Sequence, residues 1–226
     1  MNKCTEKEVA FFGKITAGIT HEMKNVLAII RESSGLMEDI ISISPEAIIK
    51  YQEKIKNSMV RIKDQIERGV GLTDRLNKFA HSTDETLSKI DLQDAIEQLV
   101  TLAQRFARLK HVVLKTMTPD HEGPPVTLVT RHVQLQMALF ASLECCFTVL
   151  SAGGEINIGI LKLEGKNAVH VVCKGDLPGL SEFTRNISES KNWQALQEIA
   201  ACLEGSAKLD ETAHGIVLSF PDEISR

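Results

Sequence analysis

The sequence predicts an α+β protein: an N-terminal antiparallel helical hairpin that pairs with a second copy into a dimeric four-helix bundle, followed by a C-terminal α/β sandwich. Three observations carry this. Apolar residues at Phe12, Ile15, Ile19, Val26, Ile29, Leu36, Ile40 and Ile43 recur at helical steps, and only Glu22 and Ser33 interrupt the series. A second series follows a Ser-Pro-Glu break. Beyond a polar stretch at 81–86, short alternating runs and helical runs interleave.

In the first arm, Thr5 with Glu8 reads as a capping box. The pattern then runs to about Ser42, a rod of roughly 55 Å at 1.5 Å per residue. Ser44 reads as an N-cap, Pro45 as the first helical position and Glu46 as a carboxylate near the positive end of the helix dipole. The second arm carries Ile48, Ile55, Met59, Ile62, Ile66, Val70, Leu76 and Phe79 and is about as long as the first. Gly69 and Gly71 weaken it by about 1 kcal/mol each relative to alanine, and mark either close packing or a flexible point. A lone hairpin of this length leaves an apolar stripe in water, which a second copy would cover.

The polar break divides the chain into 1–82, the helical hairpin, and 83–226, the sandwich. In the second part, helices fit 92–109, 133–150 and 193–203, the last ended by Gly205. Strands fit 112–117, 126–129, 155–163, 168–173, 207–209 and 216–220, with turns at Gly123-Pro124-Pro125, Ser151-Ala152-Gly153-Gly154 and Glu164-Gly165-Lys166-Asn167. Such an order suits a mostly antiparallel sheet with helices on one face.

Composition narrows the classes. Of 226 residues, 43% are hydrophobic and 25% charged, as in folded globular proteins. A net charge of −4 gives no electrostatic support for nucleic-acid binding. No apolar run approaches the roughly 20 residues that span a bilayer, and the first residues lack the apolar core of a signal peptide. The chain is therefore expected to be cytoplasmic and not a complete membrane sensor. The five cysteines, Cys4, Cys145, Cys146, Cys173 and Cys202, form no Cys-x-x-Cys pair and read as small hydrophobes in a reducing compartment.

Against the regular first arm stand His21, Glu22 and Asn25. His21 and Asn25 are one helical turn apart and share a face, while Glu22 points about 100° away. An imidazole titrates near neutrality, so its unprotonated nitrogen can attack at cellular pH. A neighbouring carboxylate can hold the other ring N–H and fix the tautomer, and an amide one turn on can position a water or a phosphoryl oxygen. A His-Glu pair alone is most often solvated surface. A zinc-protease reading fails because position 25 is not a second histidine.

The context is more specific. His21-Glu22-Met23-Lys24-Asn25-Val26-Leu27, preceded by Gly13-Lys14-Ile15-Thr16-Ala17-Gly18-Ile19-Thr20, resembles the phospho-accepting H-box of two-component sensor histidine kinases, with Val26 in place of the usual proline. The second part resembles that family's ATP-binding domain in order and spacing, and its end, Gly215 to Pro221, is similar to the family's closing strand. Its nucleotide motifs depart from the pattern. Counting back from Gly153-Gly154, Cys145 stands where the resemblance places a magnesium-holding asparagine, with Glu144 one residue earlier. Gly175 and Leu177 stand where Asp-x-Gly-x-Gly would begin. Asn192-Trp193-Gln194-Ala195-Leu196 replaces a glycine-rich phosphate turn, after a lid of only 181–192.

The resemblance, taken with these losses, implies a dimeric histidine phosphotransferase of two-component type that relays phosphoryl groups between response-regulator receiver domains. His21 would be the nucleophile, Glu22 would orient and polarise its ring, and Asn25 would be an accessory contact. Lys24 and Arg31 would meet phosphate or acidic receiver residues, unless they are plain solvated face. It implies no cofactor or metal site of the chain's own, Mg²⁺ arriving with the partner regulator, and no nucleic-acid partner. Three other readings remain: a response-regulator phosphatase using Asn25 to place water, a non-catalytic regulator-docking adaptor, and a divergent histidine autokinase.

Overall fold

The computed structural model describes residues 3–82, 87–117, 124–163, 166–210 and 212–225. The first arm is one helix, α1 (Lys3–Ile43). It begins before Thr5, so Thr5 lies inside the helix and the capping-box reading is corrected. The second arm is two helices, not one: α2 (Pro45–Lys50) and α3 (Gln52–His81), parted at Tyr51, whose ψ of 20° leaves the helical range. Pro45 opens α2 as the sequence suggests, and a hydrogen bond from Ser44 holds the Glu46 carboxyl below its usual pKa. Along the seam between the arms, Ile15, Ile19 and Val26 of α1 are buried, as are Leu72 and Phe79 of α3. Gly69 faces the seam, where a Cβ would make an ordinary 3.4 Å contact with Val26 Cγ1, whereas Gly71 faces open space.

The remaining elements are β1 (Ser88–Asp91), α4 (Leu92–Leu109), β2 (Val113–Thr116), β3 (Thr127–Thr130), α5 (His132–Val149), β4 (Glu155–Leu163), β5 (Lys166–Lys174), α6 (Leu180–Ser188), α7 (Lys191–Cys202), β6 (Ser206–Leu209) and β7 (Gly215–Phe220). One sheet has the order β2-β4-β5-β7-β6, antiparallel except for β2 beside β4. Ile156 and Ile158, Val169 and Val171, and Ile216 and Leu218 stand at alternate positions and are fully buried, which gives the sheet an apolar face. The helices cover that face, as the α/β-sandwich reading expects. The turn at 164–165 and residue 123 lie outside the described residues, but Leu163 pairs with Lys166, the register of a tight hairpin.

Two elements depart from the sequence reading. β1 pairs with β3 as a separate small sheet, and its one apolar residue, Ile90, gives no alternation to detect. The segment expected to be a short lid is α6 and the start of α7. Phe183 and Ile187, one turn apart, bury α6, and Ser190 caps α7 through Trp193 N–H.

α5 is apolar around its whole circumference, so it can be stable only if covered on every side. α1 and α4 pack on one side of it and α6 and α7 on another. A run of rings joins the two parts of the chain. Phe79 of α3 meets Phe11 and Phe12 of α1 at 5.6 and 4.5 Å, Phe11 meets Phe140 of α5 at 5.6 Å, and Phe140 meets Phe106 of α4 at 5.1 Å. The hairpin and the sandwich therefore share one continuous apolar cluster. Beside it, His132 Nε2 donates to Gln98 Oε1 at 3.1 Å, and Gln136 Nε2 donates to Ala95 O at 2.9 Å, tying α5 to α4.

Phe79→Ala removes a fully buried ring from the junction and should cost about 3–5 kcal/mol. Because the core is shared, denaturant titration should show hairpin and sandwich losing structure in one transition. His132 is half-buried, and burial lowers its pKa. The unfolded chain then binds the proton first, so stability is full above about pH 6.5 and declines as pH falls below it. Urea titrations from about pH 7.5 to 5.5 should show that decline, and His132→Gln should flatten it.

Candidate functional site

The turn from Gly18 to Asn25 is set by what α1 must bury. Glu22 takes the place of an apolar residue in the seam and is only 4% exposed. A carboxylate so placed needs cations. Arg68 of α3 supplies one, its Nη2 at 2.7 Å from Glu22 Oε2, and Arg108 at the end of α4 supplies the other through the same oxygen. One turn earlier Gly18 admits the Phe106 ring of α4, whose nearest atom lies 3.2 Å from where a Cβ would stand. α4 is thus packed directly behind this turn.

Glu22 facing inward puts His21 outward. Its ring is exposed, and Asn25 Nδ2 lies 3.4 Å from His21 Nδ1. The structure brings His21 and Asn25 together, and it does not bring Glu22 to the imidazole. The carboxylate is engaged by the two guanidiniums, so the ring-orienting role expected of Glu22 is not the one its contacts describe. Lys24 and Arg31 are exposed on the same helix, as is Thr20, whose hydroxyl donates to Thr16 O at 2.8 Å. His21, Lys24, Thr16, Ala17 and Gly13 line an open strip along α1.

Two residues that sequence reasoning missed bind the sandwich to this helix. Lys14, two turns before His21 and on nearly the same face, pairs with Glu144 of α5 and lies 4.9 Å from the centre of the Phe140 ring. Lys7 pairs with Glu198 of α7. Neither pairing has a sequence signal, because the partners are far apart along the chain. A cavity of about 290 Å³ remains beside Lys14, walled by Phe106, Phe140, Phe147 and Leu109.

The positions aligned with the nucleotide motifs can be tested for fit. Cys145 is fully buried, and burial, then the Glu144 charge, pushes its thiol up to about 12, so it stays neutral at cellular pH. A neutral thiol does not suit Mg²⁺, which takes oxygen ligands. Glu144, the shifted candidate, is the carboxylate that Lys14 holds. Gly175 has φ +130°, and a Cβ there would come 3.1 Å from Gly154 Cα, so the backbone refuses an aspartate at that position. Asn192 lies in the first turn of α7, where its amide donates to Glu144 O at 3.4 Å. These residues do not fit a magnesium nucleotide held in the family's manner. Among the described residues no three of His, Cys, Asp and Glu gather as a metal site, and no helix is long and apolar enough to cross a membrane.

A separate cleft of about 740 Å³ lies between the end of α3 and β1–α4, lined by Asp74, Lys78, Asp91, Gln98 and His132 among others. It does not include His21.

The anchor makes a measurable difference. The Arg68 and Arg108 side chains are 37% and 49% exposed, so water screens part of each pair. Arg108→Ala should cost about 1–2 kcal/mol, below the 3–5 kcal/mol of a fully buried pair. In a double-mutant cycle with Glu22→Gln the two changes should be clearly non-additive.

No family model and no curated protein matches the chain. Among solved structures it is similar to the catalytic domain of histidine kinase ThkA, at 14% identity and a TM-score of 0.49 over 62% of this chain and 100% of that one. It is similar to a bacterial phosphotransferase at 16% identity and a TM-score of 0.47, over 93% of this chain and 95% of that one. A third likeness is to ThkA in complex with the response regulator protein TrrA, at 17% identity and a TM-score of 0.44, over 96% of this chain and 64% of that one.

Proposed function

We propose that this chain is a cytoplasmic histidine phosphotransferase of the two-component type, which relays phosphoryl groups between receiver domains through phospho-His21. The observation that carries the reading is an exposed imidazole on a helix whose adjoining face is fastened by a buried ion triad and a ring cluster. A nucleophile that serves a macromolecular donor must be open to it and rigidly backed.

The transfer would run as two displacements. A ring-nitrogen lone pair of His21 forms an N–P bond with the phosphorus of a receiver aspartyl phosphate. The P–O bond to the aspartate breaks, and its electron pair leaves on the carboxylate. A second receiver aspartate then reverses the step. Nδ1 is the nitrogen beside Asn25, so Nε2 is the one presented to the donor. Mg²⁺, when bound in the receiver, neutralises phosphoryl oxygens. The buried Cys145, the Lys14–Glu144 pair and the backbone at Gly175 favour relay over phosphorylation from ATP.

The partner copy in the proposed homodimer would lie on the hairpin's outer stripe. Leu27 and Ile41 on α1 and Met59, Ile66 and Val70 on α3 are each 46% or more exposed, with Met59 reaching 60%. That apolar surface is costly in water. Leu27 points about 120° from His21, so covering the stripe leaves the imidazole open.

A second reading, water placement by Asn25 in a regulator phosphatase, draws on the same exposed amide. One experiment separates the two. The chain is mixed with a phosphorylated receiver carrying a labelled aspartyl phosphate. Relay requires acid-labile label on the native chain and none on His21→Ala. Faster loss of receiver label with His21→Ala than with no protein would favour the phosphatase.

A further inference from the structure

We propose that Asn25 selects the tautomer of His21, a positioning task that the carboxylate at 22 does not perform in this chain. The inference rests on His21 being the phosphoryl acceptor. A neutral imidazole carries one N–H and one lone pair, and which nitrogen holds the proton depends on the partner of the other. Glu22 cannot be that partner. It leaves the helix about 100° from His21, its Oε2 is taken by Arg68 and Arg108, and it is 4% exposed. Thr20 is committed to the Thr16 carbonyl. Among the described residues the side chain that reaches the ring is Asn25, at Nδ1, and Nε2 has no hydrogen-bond partner.

A carboxamide is a donor at one end and an acceptor at the other, and a half-turn exchanges them without changing its shape. With Nδ2 toward the ring, Nδ1 accepts, the ring proton sits on Nε2, and the outward nitrogen has no lone pair to attack with. With Oδ1 toward the ring, Nδ1–H donates to it and the Nε2 lone pair faces solvent. As the N–P bond forms the ring becomes cationic, and Oδ1 holds the Nδ1 proton through that charge before it passes to water. The amide thus acts as a two-position selector between a resting and an attacking imidazole. A carboxylate in its place would lock the attacking form.

The full-length chain labelled with ¹⁵N-histidine reports the tautomer directly through two-bond ¹H–¹⁵N spectra, recorded about two pH units above the ordinary imidazole value of about 6.5. Asn25→Asp, which can only accept, should shift the His21 signals toward the Nδ1–H form. Asn25→Leu should return them to the mixture of free histidine. Phosphoramidate phosphorylates an imidazole without a protein partner. Its labelling of His21 should fall roughly three- to tenfold in Asn25→Leu, the effect of one lost hydrogen bond, and hold in Asn25→Asp. Asn25 is exposed, so these variants should fold, and their thermal unfolding checks it. Identical ring signals in native, Asn25→Asp and Asn25→Leu chains would overturn the inference. A native chain labelled by phosphoramidate but never by a receiver would overturn the phosphorelay reading and leave the tautomer result standing.

Discussion

A carboxylate buried among three helices dictates how the rest of α1 is phased. Taking Glu22 out of water costs several kcal/mol. Two guanidiniums at contact distance return part of that cost, screened by the water that reaches both of them. The triad therefore adds little net stability. Its effect is on geometry, because rotating α1 to expose Glu22 would strand two cations and open the seam. With Glu22 inward, His21 and Asn25 lie outward. Lys14, two turns earlier on nearly the same face, reaches α5. A single rotational setting thus places the imidazole, its amide neighbour and the link to the sandwich.

The sandwich acts on this helix as a buttress. Its central helix α5 has no polar face, and the hairpin supplies part of its cover. Gly18 lets the Phe106 ring approach α1 closely within one turn of His21, where a Cβ would stand 3.2 Å from the ring. Two further side chains hold this packing together: Glu144 receives Lys14, and Asn192 bonds to the carbonyl of Glu144.

Much of this could be read from residue order, for definite physical reasons. α1, α3, α4, α5 and the long strands bury apolar faces at helical or alternating periods, so their spacing exposes them. The seam even marks Glu22 as inward, since it stands at an apolar position of the series. Assigning it to the His21 ring gave adjacency along the chain more weight than direction around the helix. Arg68 and Arg108 carry no periodic signal, because an ion partner on another helix is defined by the packed fold alone. β1 and α6 escaped for a simpler reason: one and two buried apolar residues are too few to form a pattern. The exposed His21–Asn25 pair was legible because both lie on one turn.

The anchor also has an electrostatic consequence for the proposed relay. One carboxylate with two guanidiniums leaves a net positive charge, and both guanidiniums are partly open to solvent. Lys24 adds a further exposed cation on α1. A phosphohistidine adds close to two negative charges one residue from Glu22, and a chain of net charge −4 would otherwise meet it with an unfavourable field. The local excess of cations offsets that field where the phosphorus would sit. In the proposed relay two tasks are separate: the triad supplies charge and rigidity beside the His21 turn, and the uncharged Asn25 governs the ring proton. A carboxylate free to turn toward the ring would combine them, raising the basicity of His21 while repelling the incoming phosphoryl group. Burying Glu22 removes that conflict and leaves the imidazole with a neutral neighbour.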